Sequence, residues 1–246
     1  MCYNAIERFG DVSKGEIIDY SDSDYDVPLY PAYIAEYNEA GNVVKFYTYD
    51  DDGELLNVYK NEYIGNNQVS HTFFDRDGEA FYYWKFIFEN EIPTGFENYA
   101  EYNTTNEEYR DVVFDGLLLK SFSTYKDGDL VSSTERKFYK NLVESSITKD
   151  ADGNVTYQFT NTWTPDGKLL HMESMSNDKK EAEKTYTYDE NGYPITLIKK
   201  GNWYKGEANY TFKYTLFDKQ GNWLSRVIYS NDKAYIVEER NIEYYD

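Results

Sequence analysis

The sequence predicts an all-β fold, an antiparallel up-and-down meander of about sixteen strands. Turn signals recur about every 12–13 residues along most of the chain, which is close to the spacing of short strands joined by turns. Between the turns, apolar and polar side chains alternate with a period of two, as in half-buried strands. Aromatic residues make up 19% of the 246 residues, and 28 of them are Tyr, a residue that strands favour.

The first 31 residues differ in composition from the remainder. Residues 21–26 are a run of Ser, Asp and Tyr, and Pro28 and Pro31 follow closely. Such a segment is typical of a solvated loop or tether. We therefore expect residues 1–31 to form a lead-in segment with at most one strand or helical turn, and residues 32–246 to form the β-repeat domain.

From Ala32 onward, every second turn signal recurs at about 25 residues, which is the mark of a repeat architecture. The positions in this series are Gly53, Gly78, Asn103, Gly128, Gly153 and Asp178. Each repeat consists of two strands and two turns, and the short connections make neighbouring strands pair antiparallel. So many strands cannot stay flat, so we expect a twisted or curled single sheet or shell, with a closed barrel as the alternative.

Five turns share the pattern Asp-x-x-Gly, and they span residues 50–53, 75–78, 150–153, 189–192 and 218–221. The Asp carboxylate of such a turn accepts backbone N–H bonds two residues on. The Gly takes a positive φ without a Cβ clash and closes a bulged hairpin. The sequence therefore predicts a positive φ at all five glycines.

The strands between these turns show a clear alternation in most places. Tyr210, Phe212 and Tyr214 share one face, whereas Thr211 and Lys213 share the other. Residues 171–184 are more polar, and we interpret them as a strand followed by a polar hairpin loop.

The repeats resemble the YD repeat of the Rhs family and the YD-like repeat proteins secreted by gut Bacteroidetes. The stretch 188–192 reads YDENG, and 217–223 reads FDKQGNW with Arg226 three residues later. The likeness extends from about Ala32 to the end of the sequence, although the units near Asn103 and Asn141 lack the Gly. In large Rhs proteins such repeats build a β shell around a toxin. The resemblance implies a secreted or surface-attached binding or scaffold protein of a bacterium, and it implies no catalytic residues.

The sequence offers few residues for catalysis or metal binding. His71 and His171 are the only histidines, and we expect both on a sheet surface. Zinc motifs, a nucleophile elbow and a phosphate-binding glycine loop are absent from the sequence, so we predict no catalytic residue, no cofactor and no enzyme. Asp150, Asp152 and Asn154 resemble half of a calcium loop, but the acidic residue at the far end is missing, so we predict no structural metal.

Charge limits the classes of partner. The formal net charge of −20 repels phosphates, so we expect no nucleic acid partner. No stretch approaches the roughly 20 apolar residues of a membrane-spanning helix, so we expect no integral membrane segment. Cys2, the single cysteine, lies where a lipoprotein keeps its lipid-bearing residue after signal removal, and it is otherwise an incidental thiol. We expect an extracytoplasmic location, secreted or lipid-anchored, with the cytoplasm as the alternative.

The aromatic surface is the remaining candidate for function. Aromatic strands with wet hydroxyls can stack on sugars or make large rigid contacts with proteins. The candidate ligand-binding residues are Trp84, Trp163, Trp203 and Trp223. The leading hypothesis is a non-catalytic binding or scaffold module for a protein or glycan. The alternatives are an acidic protein that neutralises a basic partner and, third, a glycosidase based on two carboxylates.

Overall fold

The computed structural model describes residues 12–19, 33–50, 52–100, 107–204 and 206–244. It confirms the all-β antiparallel meander, with eighteen strands and one 3-10 turn, η1 (Asn202–Tyr204), among the described residues. The strands are β1 (Val12–Asp19), β2 (Tyr33–Tyr37), β3 (Val43–Tyr49), β4 (Leu55–Ile64), β5 (Asn67–Phe74), β6 (Ala80–Glu89), β7 (Ile92–Ala100), β8 (Glu107–Asp115), β9 (Leu118–Lys126), β10 (Asp129–Tyr139), β11 (Leu142–Asp150), β12 (Val155–Trp163), β13 (Leu169–Ser176), β14 (Lys179–Tyr188), β15 (Pro194–Gly201), β16 (Gly206–Phe217), β17 (Trp223–Ser230) and β18 (Lys233–Tyr244). The described part holds no helix long and apolar enough to cross a membrane.

The chain divides into two compact units. The first comprises the described residues within Met1–Trp84, Tyr99–Glu101 and Thr211–Asp246, and the second those within Lys85–Asn98 and Tyr102–Tyr210. In the first unit the antiparallel order is β17–β18–β1–β2–β3–β4–β5. In the second unit β8 to β15 pair in chain order, also antiparallel.

Strand β1 brings the two ends of the described chain together within the first unit. Its residues pair with β18 on one side and with β2 on the other, so that Ile17 lies opposite both Arg240 and Tyr33. β1 belongs to the segment 1–31, of which residues 1–11 and 20–31 lie outside the described residues.

The Asp-x-x-Gly turns form as predicted. Gly53, Gly78, Gly153, Gly192 and Gly221 have φ of 77°, 82°, 87°, 84° and 87°. At residues 150–154 the Asp150 carbonyl accepts a bond from Gly153 N (3.1 Å), and its Oδ1 accepts bonds from Asp152 N (3.0 Å) and Asn154 N (2.8 Å). The register of β11 against β12 shifts beside this turn, which is the expected bulge.

Two of the remaining hairpins use shorter turns that their polar dipeptides explain. Asn177 and Asp178 both have positive φ (47° and 60°), and Asn231 and Asp232 do as well (49° and 65°). Two successive positive φ values are the geometry of a type I′ turn, which matches the twist of the flanking strands. Residues 171–184 were expected to form a strand and a polar hairpin loop, but residues 179–184 belong to β14, because this tight turn returns the chain directly into the sheet.

One face of each sheet is buried. In the first unit, Ala35, Tyr37 and Val43 are buried together, and Phe46, Ile242 and Tyr244 pack against them. In the second unit, Met172, Ser174, Ala182 and Lys184 are buried on β13 and β14. The neighbouring residues along these strands point to the other face, where polar and charged side chains dominate.

Candidate functional site

The four tryptophans lie in different environments. Trp223 is 1% exposed, whereas Trp84 and Trp163 are half-buried. The indole Nε1 of Trp163 donates a hydrogen bond to the Val143 carbonyl (3.1 Å). Trp203 lies in η1, and its side chain is outside the described ones. Trp84 and Trp223 belong to the first unit and Trp163 to the second, and Trp223 is the most buried of these three described indoles.

A row of aromatic rings crosses the buried face of the first unit, and we call it the aromatic ladder. Ring centroids are 4.9 Å apart for Tyr33 and Phe46, 5.8 Å for Phe46 and Tyr59, 4.8 Å for Tyr59 and Phe73, and 5.3 Å for Phe73 and Phe81. The ladder arises because residues directly opposite on paired strands share a face: Phe46 faces Tyr59, and Tyr59 faces Phe73. All five rings keep part of their surface open to solvent.

A polar group lies beside the middle of the ladder. His71 is 4% exposed, and its ring centroid is 5.7 Å from that of Tyr59. Its Nδ1 is 2.7 Å from Asn61 Oδ1, which also accepts a bond from the Gln68 amide (2.8 Å). Burial lowers the pKa of His71. His71 is therefore a neutral hydrogen-bonding residue of the buried face at neutral pH, and the expectation that it lies on the surface was wrong.

His171 occupies a different setting in the second unit. It is half-buried, and its Nδ1 lies 3.1 Å from the Thr185 hydroxyl across the strand pair. The two histidines belong to separate units.

Two arginines lie against the Trp223 ring in the first unit, and we call this group the arginine cluster. The Arg240 guanidinium lies 3.8 Å from the indole centroid, and that of Arg226 lies 4.4 Å away. Arg240 Nε also donates a hydrogen bond to the Trp223 carbonyl. Stacking of guanidinium on an aromatic face is favourable because the ring face carries negative charge. Trp223 is thus a packing centre that holds two cations on the buried face.

The Glu238 carboxylate compensates part of this charge. Glu238 pairs with Arg226 Nε, and the side chains of Glu238 and Arg226 are 15% and 14% exposed. Arg226 also lies over Phe212 (5.2 Å) and donates to the Tyr214 hydroxyl (3.4 Å). The pair is well shielded from water, so its attraction is stronger than that of a surface ion pair.

The register joins the arginine cluster to the aromatic ladder. Tyr33 begins the ladder, and it shares its row with Arg240 because both lie opposite Ile17 of β1. Two strand spacings separate them, which is about 10 Å. Burial raises the pKa of the Tyr33 phenol, and the charge of Glu238 raises it further. One face of the first unit therefore carries the aromatic ladder, and the arginine cluster with Glu238 lies beyond the Tyr33 end of that ladder.

The residues that resemble half of a calcium loop form a hairpin turn, and the Asp150 carboxylate is engaged in hydrogen bonds within that turn. Asp150 accepts bonds from the backbone of Asp152 and Asn154, and the Asn154 amide lies 3.1 Å from its Oδ2. These bonds, first that of the Asn154 amide, lower the pKa of Asp150. Within the described ranges no group of three or more His, Cys, Asp or Glu could hold a metal ion. Cys2, the candidate lipid anchor, lies outside the described residues.

Sequence reasoning missed the cations on the buried faces. Arg240 is 6% exposed in the first unit, and Lys184 is 7% exposed in the second. A signal existed: Lys184 has the same strand parity as its apolar neighbours Ala182 and Tyr186. Such a lysine in the apolar row of a strand marks a buried charge.

Comparisons with known proteins agree on the fold and leave the family open. No protein-family model matches the chain, and no curated protein matches it either. A porin-like protein from Bacteroides uniformis has a similar structure with a TM-score of 0.50, at 14% identity over 94% of this chain and 98% of that one. This likeness shows a similar all-β fold and nothing about activity.

Two further solved structures are more distant. A porin-like protein from Bacteroides vulgatus gives a TM-score of 0.43 at 12% identity, over 95% of this chain and 98% of that chain. The TcdB2-TccC3 structure gives 0.37 at 13% identity, over 88% of this chain and only 14% of that chain.

Proposed function

We propose that the chain is a non-catalytic binding protein that takes a glycan on the aromatic ladder of its first unit. The observation that carries the proposal is the ladder itself, five half-buried rings in contact from Tyr33 to Phe81. The apolar C–H face of a sugar packs against such a ring, and a row of rings offers successive subsites.

Polar groups beside the ladder fit the same ligand. Asn61 and Gln68 lie next to Tyr59, and the arginine cluster lies beyond Tyr33. Ligand sites combine apolar walls with a few placed polar groups that fix orientation, and sugar hydroxyls need both donors and acceptors. A protein ligand would use the same rings as rigid anchors and is the outcome to distinguish by experiment.

The wider biological setting is also a proposal. We place the protein outside the cytoplasm of a bacterium, secreted or held at the surface through Cys2, and we relate its repeats to the YD-like β-repeat proteins. The warrant is the match at 188–192 and 217–223 together with the repetitive all-β architecture.

A glycan array probed with three forms of the intact chain tests the binding function. The forms are the wild type, Tyr59→Leu, which removes the central ring of the ladder, and Tyr47→Leu as the matched control. Tyr47 lies next to Phe46 on β3 but on the opposite face, where its hydroxyl bonds Glu36 (2.9 Å). We expect a defined set of glycans to bind the wild type and the control, and Tyr59→Leu to bind about tenfold more weakly or worse, because stacking on one ring contributes on the order of 1–1.5 kcal/mol.

Two results would contradict the proposal. One is an array without any bound glycan, together with capture of a single protein ligand from the native cell. The other is turnover of a bound glycoside that is lost when one Asp or Glu is changed, since this would make the protein a hydrolase.

One observation favours a second candidate function, the neutralisation of a basic partner. Arg240 and Lys184 are only 6% and 7% exposed, so the exposed surface is richer in acid than the net charge of −20 suggests. Complementary charge speeds association and makes it sensitive to salt. Capture of one basic protein at low ionic strength, with release in high salt, would support this function over glycan binding.

A further inference from the structure

Two lysines face each other on the buried side of the second unit. Lys184 of β14 lies directly opposite Lys199 of β15 in the antiparallel register. Directly opposite residues have Cβ atoms about 5 Å apart, so the two lysine side chains leave neighbouring positions on the same face of the sheet. Lys184 is 7% exposed, and its register partner on the other side is the buried Met172. A pair of like charges in this position is unfavourable unless something between them carries the opposite charge.

No described carboxylate supplies that charge. Within the part of the chain that the structure describes, neither Lys184 nor Lys199 has an ion pair or a hydrogen bond. Glu173 and Glu183 lie opposite each other on the other face, where both pair with Lys180 at 2.7 Å and 2.9 Å. Burial lowers the pKa of Lys199, and the neighbouring charge of Lys184 lowers it further, as expected for an uncompensated pair.

A buried hydroxyl without a partner lies beside the pair. Ser174 is fully buried, and its Oγ has no hydrogen-bond partner. Ser174 is two residues from Met172 on β13, so it shares the face of Lys184 and lies on its diagonal, about 7–8 Å away between backbones. A hydroxyl is a donor as well as an acceptor, so it can complete the coordination of an anion held by two ammonium groups.

Two tyrosine rings lie against the Lys199 ammonium group. Lys199 Nζ lies 5.0 Å from the Tyr210 ring centroid and 5.6 Å from that of Tyr204. These rings exclude water from one side of the ammonium and hold it in place. The second unit thus presents two cations, one free hydroxyl and an aromatic wall on one buried face.

We infer that the face formed by Lys184, Lys199 and Ser174 is a binding site for the oxyanion group of a small ligand, a carboxylate or a phosphate. The two ammonium groups, each with three donors, bind the anion by charge-assisted hydrogen bonds. The negative exterior of the protein repels free anions, so the site selects ligands that also make other contacts with the buried face. This site belongs to the second unit, whereas the aromatic ladder belongs to the first, and the inference does not depend on the ligand of the ladder.

Calorimetric titration of the intact chain tests this site with inorganic phosphate, glucuronate and uncharged glucose as probes. The variants are Lys184→Met, Lys199→Met and, as a matched control, Lys180→Met. The control removes the same charge from β14, but on the opposite face. We expect phosphate or glucuronate to bind the wild type and the control, and to bind either of the other two variants roughly ten- to a hundredfold more weakly. The stronger of the two probes identifies the class of oxyanion.

Thermal unfolding gives a second, independent readout. Without anion, Lys184→Met should unfold at the same temperature as the wild type or higher, because it removes an uncompensated buried charge. With the bound probe, the unfolding temperature should rise for the wild type and for Lys180→Met, but not for Lys184→Met. Equal binding by Lys184→Met and the wild type would overturn the inference, and so would binding of none of the anions by the wild type. A large loss of stability in Lys184→Met without anion would assign the lysine a structural role instead.

Discussion

A substitution at Gly153 measures the backbone strain of a positive φ without any contribution from a steric clash. Its φ is +87°, and a Cβ built on it meets no heavy atom within 4 Å. The change Gly153→Ala therefore adds no clash, and its cost is that of placing an L-residue in the left-handed region, about 1–2 kcal/mol. For a chain of this size, each kcal/mol lowers the unfolding temperature by about 2–4 °C, so the expected loss is roughly 2–8 °C.

Gly95→Ala is the matched control for this prediction. Gly95 lies inside β7 and outside the positive-φ region, and its added Cβ meets Ile87 at an ordinary contact distance of 3.6 Å. Because glycine weakens a strand interior, Gly95→Ala should raise stability by about 0.5–1 kcal/mol. Differential scanning calorimetry of the two variants gives both shifts. Equal unfolding temperatures for Gly153→Ala and the wild type would show that the turn is not held in the left-handed conformation.

Three other outcomes are expected. Glu238→Gln should lower the free energy of unfolding by about 2–3 kcal/mol in urea titrations, because it leaves the Arg226 charge shielded from water without its carboxylate; an unchanged midpoint would refute the pairing. The pKa of His71 is lowered from 6.5 in the folded state, so on acidification the unfolded chain takes up a proton before the folded chain does, and the stability of the wild type falls as the pH drops below 6.5. His71→Gln should lose less stability over this pH range. Equal dependence of stability on pH in the wild type and His71→Gln would contradict the burial of a neutral imidazole. Calorimetry with calcium should show no micromolar binding, because Asp150 is occupied by its own turn; binding that disappears in Asp152→Ala would contradict this.

The strands and the acidic turns were predictable because their signals are local. A period of two, a turn signal every dozen residues and Gly at the end of Asp-x-x-Gly each depend on a few consecutive residues. The polar composition of residues 171–184 predicted a hairpin loop after one strand, whereas residues 179–184 already lie in the next strand. They form part of β14 through pairing with β13 and β15, which is a tertiary effect that local propensity does not contain.

The candidate sites were less predictable because several strands are aromatic on both faces. Alternation shows which residues share a face, but not which face is buried, so Trp223 and the ladder ring Tyr59 were equivalent in the sequence. The burial of His71 and of Lys184 follows from the register of neighbouring strands. The sequence could have flagged Lys184 through its parity with Ala182, but only the structure shows that Lys199 lies opposite.

A crystal structure of the protein with the tightest glycan from the array tests the central claim most directly. The proposal predicts that a sugar ring stacks on Tyr59 or Phe73, with its hydroxyls bonded to polar groups such as Asn61. A glycan seated elsewhere, without contact to any ring of the aromatic ladder, would contradict it.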